Sequence, residues 1–297
     1  MASFTALFRR AAYTGVELSF DEDPHARTAM VAGGPELAAA ALEFSTDLPF
    51  AALWAWSTAR FVSAVGPDAH LFRVDWHGET VRALSLYCRF PKEPDDTEFA
   101  SALSTAAPVA WTGPPPGVIA QALGVAGPRG LVLRVDGKGH VRVALYYRVP
   151  LPASALPPSA VEWLLLSTGL PTSVGDILER DMRELFGHGP VGIVGLDAAP
   201  DGGAGALKLN PANVPTAQAL RFLAQHGASE SRTAELGFIA RTLRARWVSY
   251  LGVRYNAHGW AGWRIYFSIE PWRLRAPGAP DLVTDRSSLP TRPLPHY

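Results

Sequence analysis

The sequence predicts an α+β fold, a closed ten-stranded antiparallel β-barrel ringed by α-helices. Three observations predict it. Stretches reading strand, polar turn, strand recur along the chain. Two apolar, alanine-rich helical segments stand between successive hairpins. Within the strands, apolar and polar residues alternate strictly enough to give the sheet two different faces.

The hairpins come first. Four cover residues 70–91, 130–150, 191–211 and 248–271, and each turn is built from Asp, Asn, Gly or His, the residues a tight reversal needs. Their turn residues Asp75, Asp136, Asp197 and Asn256 lie 61, 61 and 59 residues apart. A weaker copy at 14–34, with its turn near Asp21, makes a fifth. Helical patterns fill the intervals at 35–44, 47–65, 95–106, 116–124, 157–168, 174–187, 214–226 and 229–244. Pro49, Pro114 to Pro116, Gly169 with Pro171, and Gly227 punctuate them. One hairpin with two helices cannot bury its own apolar face, so neighbours must stack. Five hairpins closing on themselves give the barrel; an open sheet with helices on one face is the other arrangement. The barrel spans 1–272 as a single domain, and 273–297 is a Pro-rich extension.

Composition narrows the function classes. Lys plus Arg and Asp plus Glu both number 27, so the formal net charge is zero. No overall field draws the chain to nucleic acid or an anionic membrane. Hydrophobic residues make up 48%, enough for a large core. The single cysteine, Cys88, excludes an internal disulfide framework and cysteine-rich zinc modules. With no apolar run long enough to span a bilayer and no secretory pattern at the start, a soluble, cytoplasmic protein is expected.

Strand alternation identifies a wet face. One face carries Phe72, Val74 and Trp76, then Leu131, Leu133 and Val135, then Val143, Leu145 and Tyr147, and must meet the helices. The other carries Arg73, Asp75, Tyr87, Arg134, Arg142, Tyr146, Arg148, Lys208, Arg264 and Tyr266, and lines the lumen. Ten strands leave room for a guest. Arginines converging without matching carboxylates call for an anion, and phosphate suits their fork. Interleaved tyrosines add π faces that stabilise a cation.

This layout resembles the ABBA aromatic prenyltransferases, the PT-barrel family of ααββ units, over about residues 13–272. The resemblance rests on the repeat and on second strands such as VRVALYYRVP and WRIYFSI. It implies diphosphate-binding residues Arg142, Lys208 and Arg264, with Arg27 and Arg148 beside them, and a cation-shielding prenyl pocket of Tyr87, Tyr146 and Tyr266. Arg73, Arg134 and Arg254, two residues before each turn, are expected at the barrel rim. Glu17 is similar to the first-strand glutamate of indole-prenylating and cyanobactin-type members, which implies a catalytic carboxylate that orients or deprotonates the acceptor. The implied partners are dimethylallyl or geranyl diphosphate and an aromatic acceptor, either a small natural product or a Trp- or Tyr-type peptide side chain. The implied activity is prenyl transfer by attack on an allylic cation. The rival readings are a non-catalytic barrel that binds an anionic lipid or metabolite, and a scaffold whose arginines are paired with lumen Asp and Glu.

No cofactor is required by the sequence, and family members differ on Mg2+, so its need stays open. Asp95-Asp96 reads as a helix cap rather than a magnesium motif, and no histidine pair has metal-ligand spacing. Trp54, Trp56, Trp163 and Trp247 read as core or helix–sheet packing, and Cys88 as a buried thiol. The tail lacks a helical period, which points toward an open barrel end and a bulky or peptide acceptor.

Overall fold

In the computed structural model, which describes residues 15–33, 36–66, 69–90, 101, 115–149, 159–186, 192–197 and 205–269, ten strands form one closed antiparallel sheet. They are β1 (Gly15–Asp21), β2 (Ala26–Ala32), β3 (Ala69–His77), β4 (Thr80–Arg89), β5 (Gly130–Asp136), β6 (Val141–Val149), β7 (Gly192–Asp197), β8 (Ala206–Pro215), β9 (Trp247–Asn256) and β10 (Gly259–Ile269). Each strand pairs with its sequence neighbours, and β1 closes the ring on β10 with Glu17 opposite Ser268 and Asp21 opposite Arg264. Every backbone ladder therefore has two partners and no edge is left to aggregate.

Among the described residues seven α-helices clothe the outside: α1 (Leu37–Phe44), α2 (Ala51–Val65), α3 (Pro116–Ala122), α4 (Ala160–Thr168), α5 (Gly175–Phe186), α6 (Thr216–Gln225) and α7 (Glu230–Thr242). The helix expected at 95–106 and the extension 273–297 lie outside the described residues. α2 shows why these segments are helical. Trp54, Ser57, Thr58, Phe61 and Val65 recur at three- and four-residue steps, and all are buried against the sheet. Pro116 opens α3, where its missing N–H costs nothing. The Ser229 hydroxyl caps α7 by accepting the Arg232 amide at 3.1 Å.

The core is the annulus between helices and sheet. Leu84 and Leu86, Leu131 and Leu133, Leu207 and Leu209, Leu251 and Val253, and Ile265 and Phe267 all point outward into it. Phe72 is fully buried in it, with Phe44 edge-on at 5.8 Å and Trp54 tilted at 6.0 Å. Polar anchors set helix positions over the barrel. Tyr255 on β9 donates to the buried Asp181 of α5 at 2.7 Å, and Tyr147 on β6 donates to the Pro116 carbonyl at 3.2 Å. Arg232 of α7 reaches the Asp21 carbonyl from Nη2 at 2.7 Å, tying the helix layer to the turn end of the barrel.

Two expectations need correction. Trp56 and Trp247 are half exposed, at 49% and 52%, rather than packed in the core. Trp56 instead lies beneath the Arg60 guanidinium, 4.7 Å from its ring centroid. Asp75 is not a turn residue: β3 runs on to His77, past an irregularity at Asp75–Trp76, so Asp75 stays inside the strand. Cys88 is fully buried, as expected.

Truncating Phe72→Ala removes a fully buried ring from this annulus. Unfolding free energy is expected to fall by about 3–5 kcal/mol, measured by urea denaturation; a loss below about 1 kcal/mol would contradict the packing described.

Candidate functional site

The described hairpin turns lie at one end of the barrel, and the lumen changes character away from them. A polar chamber of about 470 Å³ occupies the turn end, lined by Arg73, Arg134, Arg142, Lys208, Arg254 and Arg264 together with Asp21, Asp136 and Asp197. A smaller chamber of about 100 Å³ lies beyond it, lined by Glu17, Met30, Leu71, Ile193, Arg148 and Tyr250. Tyr87, Tyr146, Tyr266, Val132 and Asn210 line both and form the wall they share.

The shared wall depends on two glycines. A Cβ on Gly252 would stand 2.9 Å from Asn210 Oδ1 and 3.3 Å from the Tyr266 ring. A Cβ on Gly195 would stand 3.1 Å from the Tyr146 ring. A side chain at either position would crowd these rings and force small shifts where they lie against the neighbouring strands. Tyr87 and Tyr146 tilt at a centroid distance of 5.9 Å, and Tyr250 meets Tyr266 edge-on at 6.3 Å. Burial, with Tyr146 nearby, pushes the Tyr87 phenol up to about 12, against the pull of Arg73. Burial likewise raises Tyr146 and Tyr266 above the ordinary phenol range. All three therefore stay protonated donors at neutral pH.

The cations of the polar chamber do not lack carboxylates, as the sequence suggested they would. Asp75 is 5% exposed and saturated. Arg73 clamps it with Nε at 2.9 Å and Nη2 at 3.1 Å, Arg264 Nη1 reaches it at 3.3 Å, and Arg134 and the Thr28 hydroxyl complete the set. Burial pulls the Asp75 carboxyl upward, but Arg73 and Arg134 outweigh it and hold it at about 2. Arg264 also spans to Asp21, Nη2 to Oδ2 at 3.0 Å. Lys208 Nζ donates to Asp197 at 2.7 Å, and that ion pair overcomes burial to lower the Asp197 carboxyl. Arg142 differs: its Nε is buried and meets no acceptor among the described residues.

Glu17 lies in the second chamber and is 1% exposed. Ser268 donates to its Oε1 at 3.2 Å. Burial pushes its carboxyl up to about 7, against the stabilising hydroxyls of Ser249 and Ser268.

Arg142, Lys208, Arg264, Tyr87, Tyr146 and Tyr266 thus meet around one cavity. Two expected members do not join them. Arg27 faces outward: it pairs in register with Phe20 and Trp76, whose side chains pack on the helix side, and it is exposed. Arg148 lines the chamber of Glu17 instead. Arg73 and Arg134 line the chamber rather than the rim, whereas Arg254, with 46% of its side chain exposed and 4.0 Å from Asp197, is a rim residue. Asp75 and Asn210 were missed as site residues, although alternation had put both on the wet face. Among the described residues no group of three or more His, Cys, Asp or Glu side chains converges as a metal site, and no helix is long and apolar enough to cross a membrane.

The closed ten-stranded barrel and its helical ring define a class: this is the PT barrel, the fold of the ABBA aromatic prenyltransferases. Particular structures share it. The 5-dimethylallyltryptophan synthase of Streptomyces coelicolor superposes with a TM-score of 0.60 at 17% identity, covering 88% of this chain and 82% of that one. AnaPT of Neosartorya fischeri gives 0.58 at 11% identity over 85% and 77% of the two chains. The 6-dimethylallyltryptophan synthase of Micromonospora olivasterospora, solved in complex with DMASPP and Trp, gives 0.57 at 14% identity over 86% and 82%. At these identities the likeness is one of fold. No protein-family model matches the chain, and no curated protein matches it in sequence.

The raised Glu17 carboxyl carries a stability signature. Its neutral form is favoured when folded, so stability falls as pH rises from the ordinary 4.5 to about 7 and is level above that. Glu17→Gln is expected to remove this decline. Urea midpoints measured for both chains from pH 4 to 8 check it: the difference between them should change across this window, and parallel curves would argue against the shift.

Proposed function

We propose that the barrel transfers a dimethylallyl or geranyl group from its diphosphate to an aromatic acceptor, a small natural product or the Trp- or Tyr-type side chain of a peptide. The observation that carries this reading is the sequence of environments along one lumen: cations, then tyrosine faces, then a carboxyl poised near neutrality.

The chemistry follows from those environments. The allylic C–O bond breaks and leaves an allylic cation and a diphosphate anion. Arg142, Lys208 and Arg264 stabilise the charge that develops on the leaving oxygens, a contribution that is large because the side chains are already in place. Tyr87, Tyr146 and Tyr266 donate hydroxyls toward the diphosphate, wall off water and present π faces to the cation. The acceptor ring occupies the chamber beyond, attacks the cation from about 3–3.5 Å, and forms the new carbon–carbon bond. Glu17, with its carboxyl near 7, accepts the proton that restores aromaticity or polarises the acceptor N–H or O–H.

One observation favours the rival, a barrel that binds an anion without turning it over or binds none: Asp75, Asp21 and Asp197 already pair Arg73, Arg134, Arg264 and Lys208. Calorimetric titration with the thiolodiphosphate analogues of dimethylallyl and geranyl diphosphate separates the readings. Micromolar binding that weakens at least tenfold in Lys208→Ala with Arg264→Ala is expected. Glu17→Gln should keep that affinity and lose about 100-fold or more in turnover against an aromatic acceptor found by screening Trp, Tyr and short peptides containing them. The wild-type rate should climb to a plateau above about pH 7, as the carboxylate forms. Absence of heat with both analogues would defeat the proposal.

A further inference from the structure

Asp75 has no part in the reaction as proposed, yet it is heavily bonded to arginines that line the polar chamber. Both of its oxygens are saturated by Arg73, Arg134, Arg264 and Thr28. An N–H spent on one anion is not available to another. Arg73 commits Nε and Nη2 to Asp75, and Arg264 divides Nη1 and Nη2 between Asp75 and Asp21. A phosphate entering the chamber therefore meets Arg142 unencumbered by any carboxylate among the described residues, and reaches Arg264 only by sharing it.

Building on the prenyl-transfer reading, we infer that Asp75 is the positioning residue of the polar chamber. It is an internal counter-anion that keeps Arg73, Arg134 and Arg264 aimed inward. By occupying them it also weakens the hold on diphosphate, so that the leaving group is released after transfer. Asp21 plays the same part more weakly, through Arg264 alone and with 22% of its side chain exposed.

The test is calorimetric titration of the full chain with inorganic pyrophosphate. Asp75→Asn removes one negative charge within hydrogen-bond reach of the guanidiniums that would hold the guest, while its amide oxygen still accepts from them and keeps them aimed inward, so pyrophosphate is expected to bind about tenfold more tightly. The same variant should bind the thiolodiphosphate analogue more tightly and turn substrate over more slowly, an opposed split that a residue important only for folding would not produce. Unchanged or weaker pyrophosphate affinity in folded Asp75→Asn overturns the assignment while leaving the functional reading intact. Absence of binding to the wild-type chain sinks the functional reading, and this inference with it. If Asp75→Asn lacks a cooperative unfolding transition, Asp21→Asn carries the test: a gain of about threefold supports the inference, and no gain overturns it.

Discussion

Closing ten strands into a ring separates two worlds that an open sheet would leave in contact with the same solvent. The outward side chains that meet helices form one apolar core. Inward ones face each other across the chambers, so a charge buried there is costly unless it finds a partner inside the lumen. Pairing of β1 with β10 is what makes this so. It also sets Asp21 opposite Arg264 and Glu17 opposite Ser268, the pairs that satisfy one end and the middle of the interior. The helices depend on the same closure, since Arg232 and Asp181 anchor them to backbone and side chains of strands that the ring holds in place.

The alternation of strong charges with opposite sign at the turn end follows from that constraint. A lumen lined by arginines alone would repel itself. Asp75, Asp197 and Asp21 make the array stable, and in doing so leave its members unequal: Arg73 fully engaged, Arg264 shared, Arg142 without a carboxylate among the described residues. Farther in, the strands switch from charge to tyrosine, and Gly195 and Gly252 clear the space those rings need.

The architecture was legible because it is periodic. A turn near every sixtieth residue and strict alternation along each strand are collective signals, and single exceptions do not erase them. The site was legible only in part, because its chemistry depends on single positions. Asp75 has the residue type of a turn and a place two residues before one; alternation put it on the lumen face, but only the register, which carries β3 on to His77, shows that it stays inside the strand rather than in the turn. Arg27 stands in the weakest hairpin, where position along the strand gives no parity until Phe20 is known to be its partner. Arg148 has the right face but the wrong height, and height along a barrel axis depends on shear, which spacing in the sequence does not encode.

Two carboxyls in one lumen end up at opposite extremes for physical reasons that the strands impose. Asp75 and Glu17 are both buried, and burial alone would raise both. Asp75 sits where β3, β5 and β10 deliver guanidiniums, so its charged form is held and its carboxyl lies at about 2. Glu17 sits among Ser249, Ser268, Met30 and tyrosine walls, where hydroxyls offset desolvation only in part, and its carboxyl lies at about 7. A permanent anion and an exchangeable proton are thus held in one barrel, divided by a wall of protonated phenols. That division lets one functional group, the carboxyl, be a fixed counter-charge at the turn end and, in the proposed reaction, a proton acceptor deeper in.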